Sequence, residues 1–168
     1  MEPLRLVIMG VSGCGKSTVG QQLASHFKSD FLEGDSLHSQ QNLALMAAGT
    51  PLSDEDRAAW LDAIAQRLSD FPHDKGLMVS CSALKRIYRD RLRLASPALR
   101  FVHLQGDRGV LATRLLGRQG HFMPPSLLDS QLDILEPPSA DENAISINIA
   151  KTVSSIVESI ARQLAQPA

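Results

Sequence analysis

Residues Gly10-Val11-Ser12-Gly13-Cys14-Gly15-Lys16-Ser17 fit the pattern G-x-x-x-x-G-K-[ST]. No other feature of the chain constrains its fold so tightly. The pattern works only between a strand and a helix, and the flanking residues supply both. Leu4-Arg5-Leu6-Val7-Ile8-Met9 reads as a buried strand leading in, and Thr18 to Phe27 has helical apolar periodicity. Three glycines let the backbone curl so that successive N–H groups face one anion, and the helix N-terminus adds partial positive charge on the same side. Lys16 is expected to reach the β- and γ-phosphates of a nucleotide, and the Ser17 hydroxyl to ligate magnesium. The whole loop, Gly10, Val11, Ser12, Gly13, Cys14, Gly15, Lys16 and Ser17, continuing to Thr18, is the candidate ATP-binding element. This context separates it from a glycine-rich turn that binds nothing.

The chain has 168 residues and a net charge of −1. That length suits one domain with a real core, and the charge gives no reason to expect a nucleic-acid or membrane surface. There is no apolar run of the ~20 residues that a membrane span needs. The first strand follows Met1 almost at once, so no signal peptide is expected and the cytoplasm is the default location. Cys14 and Cys81 do not suggest a disulfide scaffold and fit a reducing compartment.

The remaining chain alternates between strands and helices. Strands are expected at Asp30 to Glu33, Gly76 to Cys81, Leu99 to Gln105 and Ala144 to Ile149. Helices are expected at Ser39 to Ala48, from Ser53 through Leu68, and at Ala83 to Ala95. Three more are expected from Gly106-Asp107 to Leu116, at Ser126 to Leu135 and at Thr152 to Gln166. Such alternation argues for an α/β fold with a parallel sheet covered by helices on both faces. Ligands then bind beyond the carboxyl ends of the strands. Residues 36–72 and 117–138 are the candidate mobile segments that would shield phosphoryl transfer from water.

Several side chains cluster at those strand ends. Glu33 and Asp35 lie two apart with Gly34 between them. One could hold magnesium through water while the other accepts a proton, or both could be solvated acids in a turn. His38 could read substrate hydroxyls or serve as a capping histidine. Arg57 sits in the first turn of its helix, against the dipole, so it needs a partner: an internal acid or a substrate carboxylate. Ser82 could face substrate, and Lys85 could neutralise an anion. Arg86, Arg89, Arg91 and Arg93 read as a solvated face, with an inward-turning Arg89 as the alternative. Arg114 and Arg118, four apart, would share a helix face and could neutralise phosphoryl charge. His121 has no spaced Cys or His partners for zinc. Val79-Ser80-Cys81 lacks the Walker-B aspartate of many motor ATPases, which favours a small-metabolite kinase over a motor or switch.

In order along nearly the whole chain, FLEGDSLH (31–38), GTPLSDEDRAAWL (49–61), CSALKRIYRD (81–90), RQGHFMP (118–124) and SQLDILEPPSADE (130–142) join the phosphate loop. Together these pieces resemble the small gluconate kinases. The resemblance implies a three-layer P-loop kinase fold like that of nucleoside monophosphate and shikimate kinases. Residues 1–168 would form a single domain with a five-stranded parallel sheet, a substrate-binding helical segment and a lid. It also implies ATP and Mg2+, transfer to the 6-hydroxyl of D-gluconate in sugar-acid catabolism, and a homodimer. Asp35 then looks like the base, with Lys16 and Arg118 as its catalytic companions and Arg114 beside the nucleotide. Gluconate falls to Asp35, His38, Arg57, Ser82, Lys85, Arg89 and His121, and the metal to Ser17 and Glu33. The chain departs from the family pattern at Glu33 (usually Asp), Ser39 (usually Pro) and Cys14 (usually Ser).

Overall fold

The computed structural model describes residues 2–117, 124 and 126–167. Five parallel strands form the sheet: β1 (Arg5–Met9), β2 (Asp30–Glu33), β3 (Leu77–Ser80), β4 (Arg100–Gln105) and β5 (Ile145–Asn148), in the order β2-β3-β1-β4-β5. The helices are α1 (Lys16–His26), α2 (Gln40–Ala47), α3 (Asp54–Asp70), α4 (Arg86–Ala95), α5 (Arg108–Leu116), α6 (Leu127–Ile134) and α7 (Val153–Leu164).

The central strand explains its own sequence. Every residue of β1 is buried, as a strand covered on both faces must be, so its side chains form an apolar run rather than an alternation. Arg5 is the exception in type only. Its guanidinium donates to the carbonyls of Leu68, Phe71 and Pro72, the last at 2.7 Å, and so ties β1 to the end of α3. Sheet order reverses beside β1, whose neighbours are β3 and β4. The loop leaving β1 therefore opens at the switch point where such folds bind ligands.

Local rules set most boundaries. Ser53 and Asp56 form a reciprocal capping box at the start of α3. Ser39 accepts from the Asn42 amide at the start of α2, and Thr152 from the Ser155 amide at the start of α7. One expectation fails. The helix placed at 83–95 begins only at Arg86, because Ala83 adopts φ 44°, a left-handed conformation no helix accommodates. Residues 81–85 form a loop instead, and the Ala83 and Leu84 carbonyls accept from the Arg89 guanidinium at 2.9 and 3.1 Å. Short 3-10 turns at Gly34–Leu37 and Ala140–Glu142 had no sequence expectation.

The main core runs from both faces of the sheet into α1, α3, α4 and α7. A separate small cluster of Met46, Leu52 and Leu127 joins α2, the loop before α3, and α6. No helix among the described residues is long and apolar enough to cross a membrane.

Candidate active site

The phosphate loop is shaped by its glycines. Gly10, Gly13 and Gly15 all have positive φ, and Gly15 occupies the N-cap of α1 at φ 92°. A β-carbon on Gly10 would lie 2.7 Å from the Cys14 sulfur and 2.8 Å from the Leu104 carbonyl, so only glycine fits there. The Cys14 side chain is thus packed behind the loop, 1% exposed. The Lys16 ammonium donates to the Val11 carbonyl at 3.1 Å, folded over its own loop.

Glu33 leaves β2 directly opposite this loop. One carboxylate oxygen accepts from the Ser17 hydroxyl and the other from Ser80 Oγ at 2.5 Å. Ser80 stands at the end of β3, where a Walker-B aspartate would otherwise sit, and instead orients a carboxylate from the neighbouring strand. Gly34 makes the close approach possible, since a β-carbon there would fall 2.1 Å from the Ser80 carbonyl oxygen. The Trp60 indole N–H donates to the Gly34 carbonyl at 2.8 Å, bracing the same turn from α3.

Asp35 follows, with His38 one turn on. The His38 Nε2 lies 3.9 Å from Asp35 Oδ1. Its ring stacks on Trp60, and Asn42 Nδ2 lies 3.4 Å from its Nδ1. The His38 side chain is 3% exposed. Burial, helped by the Arg57 charge, pulls its pKa down to about 4, so the ring is neutral at physiological pH. The same surroundings hold Cys81 as an inert thiol, pushed up to about 12 by burial.

One cleft collects these groups. It is lined by Ser12, Gly13, Gly15, Lys16 and Ser17 from the phosphate loop, and by Glu33, Asp35, His38, Arg57 and Ser82 from the expected set. Trp60, Met46, Leu52 and Gln131 complete it. Arg57 is buried, 7% exposed, and donates to the Leu52 carbonyl and, at 3.4 Å, to the Tyr88 hydroxyl. Its partner is therefore protein backbone and a phenol, and one side of it still faces the cleft.

Two expected substrate residues do not reach the cleft. Arg89 is fully buried and forms an ion pair with Glu142, Nε to Oε1 at 2.7 Å, while its other donors serve the Ala83 and Leu84 carbonyls. The inward alternative holds, but the residue turns into the protein core. Lys85 is tied to Asp54 at 3.0 Å, outside the lining residues. That hydrogen bond raises the lysine pKa, and Tyr88 and Lys85 together lower that of Asp54. Arg114 donates to the Ile149 carbonyl at 2.8 Å, which places it beside the loop after β5 rather than in the cleft. Thr18 lies within α1, and Gly10, Val11 and Cys14 support the loop from behind. The expectations at Arg118 and His121 lie outside the described residues.

Sequence reasoning passed over Trp60, Ser80, Asn42 and Gln131. Trp60 has the spacing of a core residue, and only its indole nitrogen hints at a polar task. Ser80 was visible only as a missing aspartate.

Ser17 and Glu33 would supply the protein-side donors for magnesium here. A hydroxyl and a single carboxylate from Ser17 and Glu33 face the loop, and among the described residues no cluster of three or more acidic, His or Cys side chains forms a cage. Magnesium in phosphoryl-transfer sites takes few protein ligands and fills its sphere with phosphate oxygens and water.

The family model for shikimate kinase matches residues 12–166. The chain is 44% identical to a gluconokinase of Gluconobacter oxydans (strain 621H), covering 96% of this chain and 92% of that protein. It is 41% identical to the thermoresistant gluconokinase of Escherichia coli (strain K12), covering 91% and 89%. A crystal structure of a gluconokinase from Sinorhizobium meliloti 1021 superimposes with a TM-score of 0.88 at 46% identity, over 97% of this chain and 92% of that one.

Proposed function

The chain belongs to the shikimate kinase family and groups there with the gluconokinases, and on that premise we propose that it phosphorylates D-gluconate with ATP. The product is 6-phospho-D-gluconate, with ADP released. The observation that supports this reading is the cleft in which Lys16 and Ser17 of the phosphate loop meet Asp35 from the turn after β2. A phosphoryl donor and a hydroxyl acceptor would meet between them.

The chemistry is positioning and electrostatics. The loop amides and the Lys16 ammonium hold the triphosphate. Asp35 takes the proton from the gluconate 6-hydroxyl, whose oxygen attacks the γ-phosphorus in line. The bond from that phosphorus to the β-phosphate bridging oxygen breaks, and the electron pair leaves with ADP. Magnesium, held by Ser17 and through water by Glu33, would spread negative charge over the phosphate oxygens. Arg57 offers its cleft-facing side to the substrate carboxylate, while neutral His38 and Ser82 offer hydrogen bonds to hydroxyls. Residues 36–72 serve as the acceptor-binding segment of one kinase domain. Residues 117–138, with Arg118 and His121, serve as the lid, the enzyme works in the cytoplasm, and the resemblance to gluconate kinases adds a homodimer.

A coupled assay of ADP release with gluconate, shikimate and nucleoside monophosphates as acceptors tests the reading. Gluconate-dependent turnover yielding 6-phosphogluconate is expected. Turnover with another acceptor only, or ATP binding without acceptor-dependent ADP release, overturns it.

A further inference from the structure

We infer that Tyr88 of α4 is a positioning residue for the acceptor: its hydroxyl, oriented by Asp54, holds the Arg57 guanidinium ready for the substrate carboxylate. This deepens the gluconate kinase reading and rests on it.

Asp54 and Arg57 stand three apart at the start of α3. At that spacing a carboxylate and a guanidinium can pair along one helix. Here no such pair forms, and Tyr88 from the next helix joins the two instead. The Asp54 carboxylate accepts from Lys85 Nζ, at 3.0 and 3.3 Å, and from the Tyr88 hydroxyl. Arg57 Nη1 donates to that same hydroxyl at 3.4 Å and to the Leu52 carbonyl. The guanidinium carbon also lies 5.5 Å from the centroid of the Tyr88 ring.

The polarity of this chain is fixed at its acidic end. An ionised carboxylate only accepts, so the phenol donates to Asp54 and turns a lone pair toward Arg57. Burial and the Asp54 hydrogen bond both push the tyrosine pKa up, which keeps the proton in place. Tyr88 is buried. A phenylalanine would fill the same space, and only the hydroxyl adds the two bonds.

The arrangement leaves Arg57 buried, cationic and in no ion pair among the described residues. Lys85 neutralises the acid that would otherwise draw the guanidinium back. Both protein hydrogen bonds of Arg57 use Nη1, so the Nε–Nη2 edge is not taken by a protein acceptor among the described residues. Such an edge takes a carboxylate in two parallel bonds. Arg57 lines the cleft with Asp35 and His38. A buried cation without a counter-charge is costly, and the carboxylate of the incoming acid supplies that charge.

Tyr88→Phe and Asp54→Ala, singly and together, are compared with wild type. Steady-state kinetics with gluconate, ATP affinity without gluconate and melting temperature are read for each. Tyr88→Phe is expected to raise the gluconate KM about threefold to tenfold, with kcat and ATP affinity within about twofold of wild type. Asp54 is half exposed, so its loss tests the chain with little demand on the fold. Asp54→Ala should raise the KM about twofold to fivefold, because the released hydroxyl can turn its proton toward Arg57. Asp54 acts through Tyr88, so the double variant should match Tyr88→Phe rather than multiply the two effects. Wild-type KM in folded Tyr88→Phe overturns the inference, as does a multiplicative double variant or a fall in kcat without a rise in KM. Should Tyr88→Phe fail to fold, Asp54→Ala decides alone: a raised KM with kcat kept supports the inference, and a wild-type KM overturns it. A wild-type enzyme inert toward gluconate is a separate failure, which removes the functional reading. Failure of the inference alone leaves wild-type turnover intact.

Discussion

The imidazole of His38 lies face to face on the indole of Trp60, ring centroids 4.2 Å apart and planes inclined by 14°. Trp60 in turn holds the Gly34 carbonyl through its ring nitrogen. The stack thus links α3 to the turn that carries Glu33 and Asp35, and it keeps a histidine out of water beside the cationic Arg57.

A pH dependence of stability follows from that burial. His38 and His103 both have folded-state pKa values lowered to about 4, chiefly by desolvation. Between about pH 4 and 6.5 the unfolded chain therefore binds more protons than the native one, and stability rises with pH across that window. It is complete above about 6.5 and is lost as pH falls toward 4, by on the order of 3 kcal/mol per ring. Melting temperatures from pH 7.5 down to 4.5 should fall, and more shallowly in His38→Asn than in wild type. An unchanged slope in the variant would show that His38 titrates normally.

Lys16→Met should leave the fold intact, since among the described residues the ammonium hydrogen-bonds within its own loop, to the Val11 carbonyl and, 3.9 Å away, the Cys14 sulfur. Turnover should fall about a thousandfold through loss of charge at the transferring group. The check is kcat alongside an unaltered circular dichroism spectrum and melting curve.

Asp35→Asn is nearly isosteric and keeps a hydrogen-bond acceptor while removing the base. The expected result is a kcat lower by about a hundredfold to ten-thousandfold with ATP affinity little changed. Equal losses in kcat and ATP affinity would argue for a role in nucleotide binding instead.

Arg89→Met distinguishes a structural arginine from a substrate contact. The change leaves Glu142 buried with Arg93, at 2.6 Å, as its remaining guanidinium partner among the described residues. Breaking a buried pair in this way costs about 3–5 kcal/mol, so the melting temperature should drop by many degrees. Protein that remains folded below that temperature should show the wild-type KM for gluconate. A KM raised tenfold in stably folded material would return Arg89 to the site.

Much of this protein is written in short-range pattern. The phosphate loop, the alternation of strand and helix, the Ser53–Asp56 capping box and the pairing of Glu33 with Asp35 across Gly34 each depend on neighbours within a few residues. Backbone geometry at that range follows from residue type. The polar partnerships do not. Whether Arg89 faces solvent, substrate or Glu142 depends on a turn more than fifty residues away. Lys85 looked like an anion binder until Asp54 of another helix came to meet it, and Trp60 looked like simple core. The Ser12 amide finds its acceptor on α6, near the far end of the chain. A charged or amide side chain takes whichever partner the packed fold sets beside it, because an unpaired one in the interior is costly. That choice exists only once the sheet and helices have brought distant segments together.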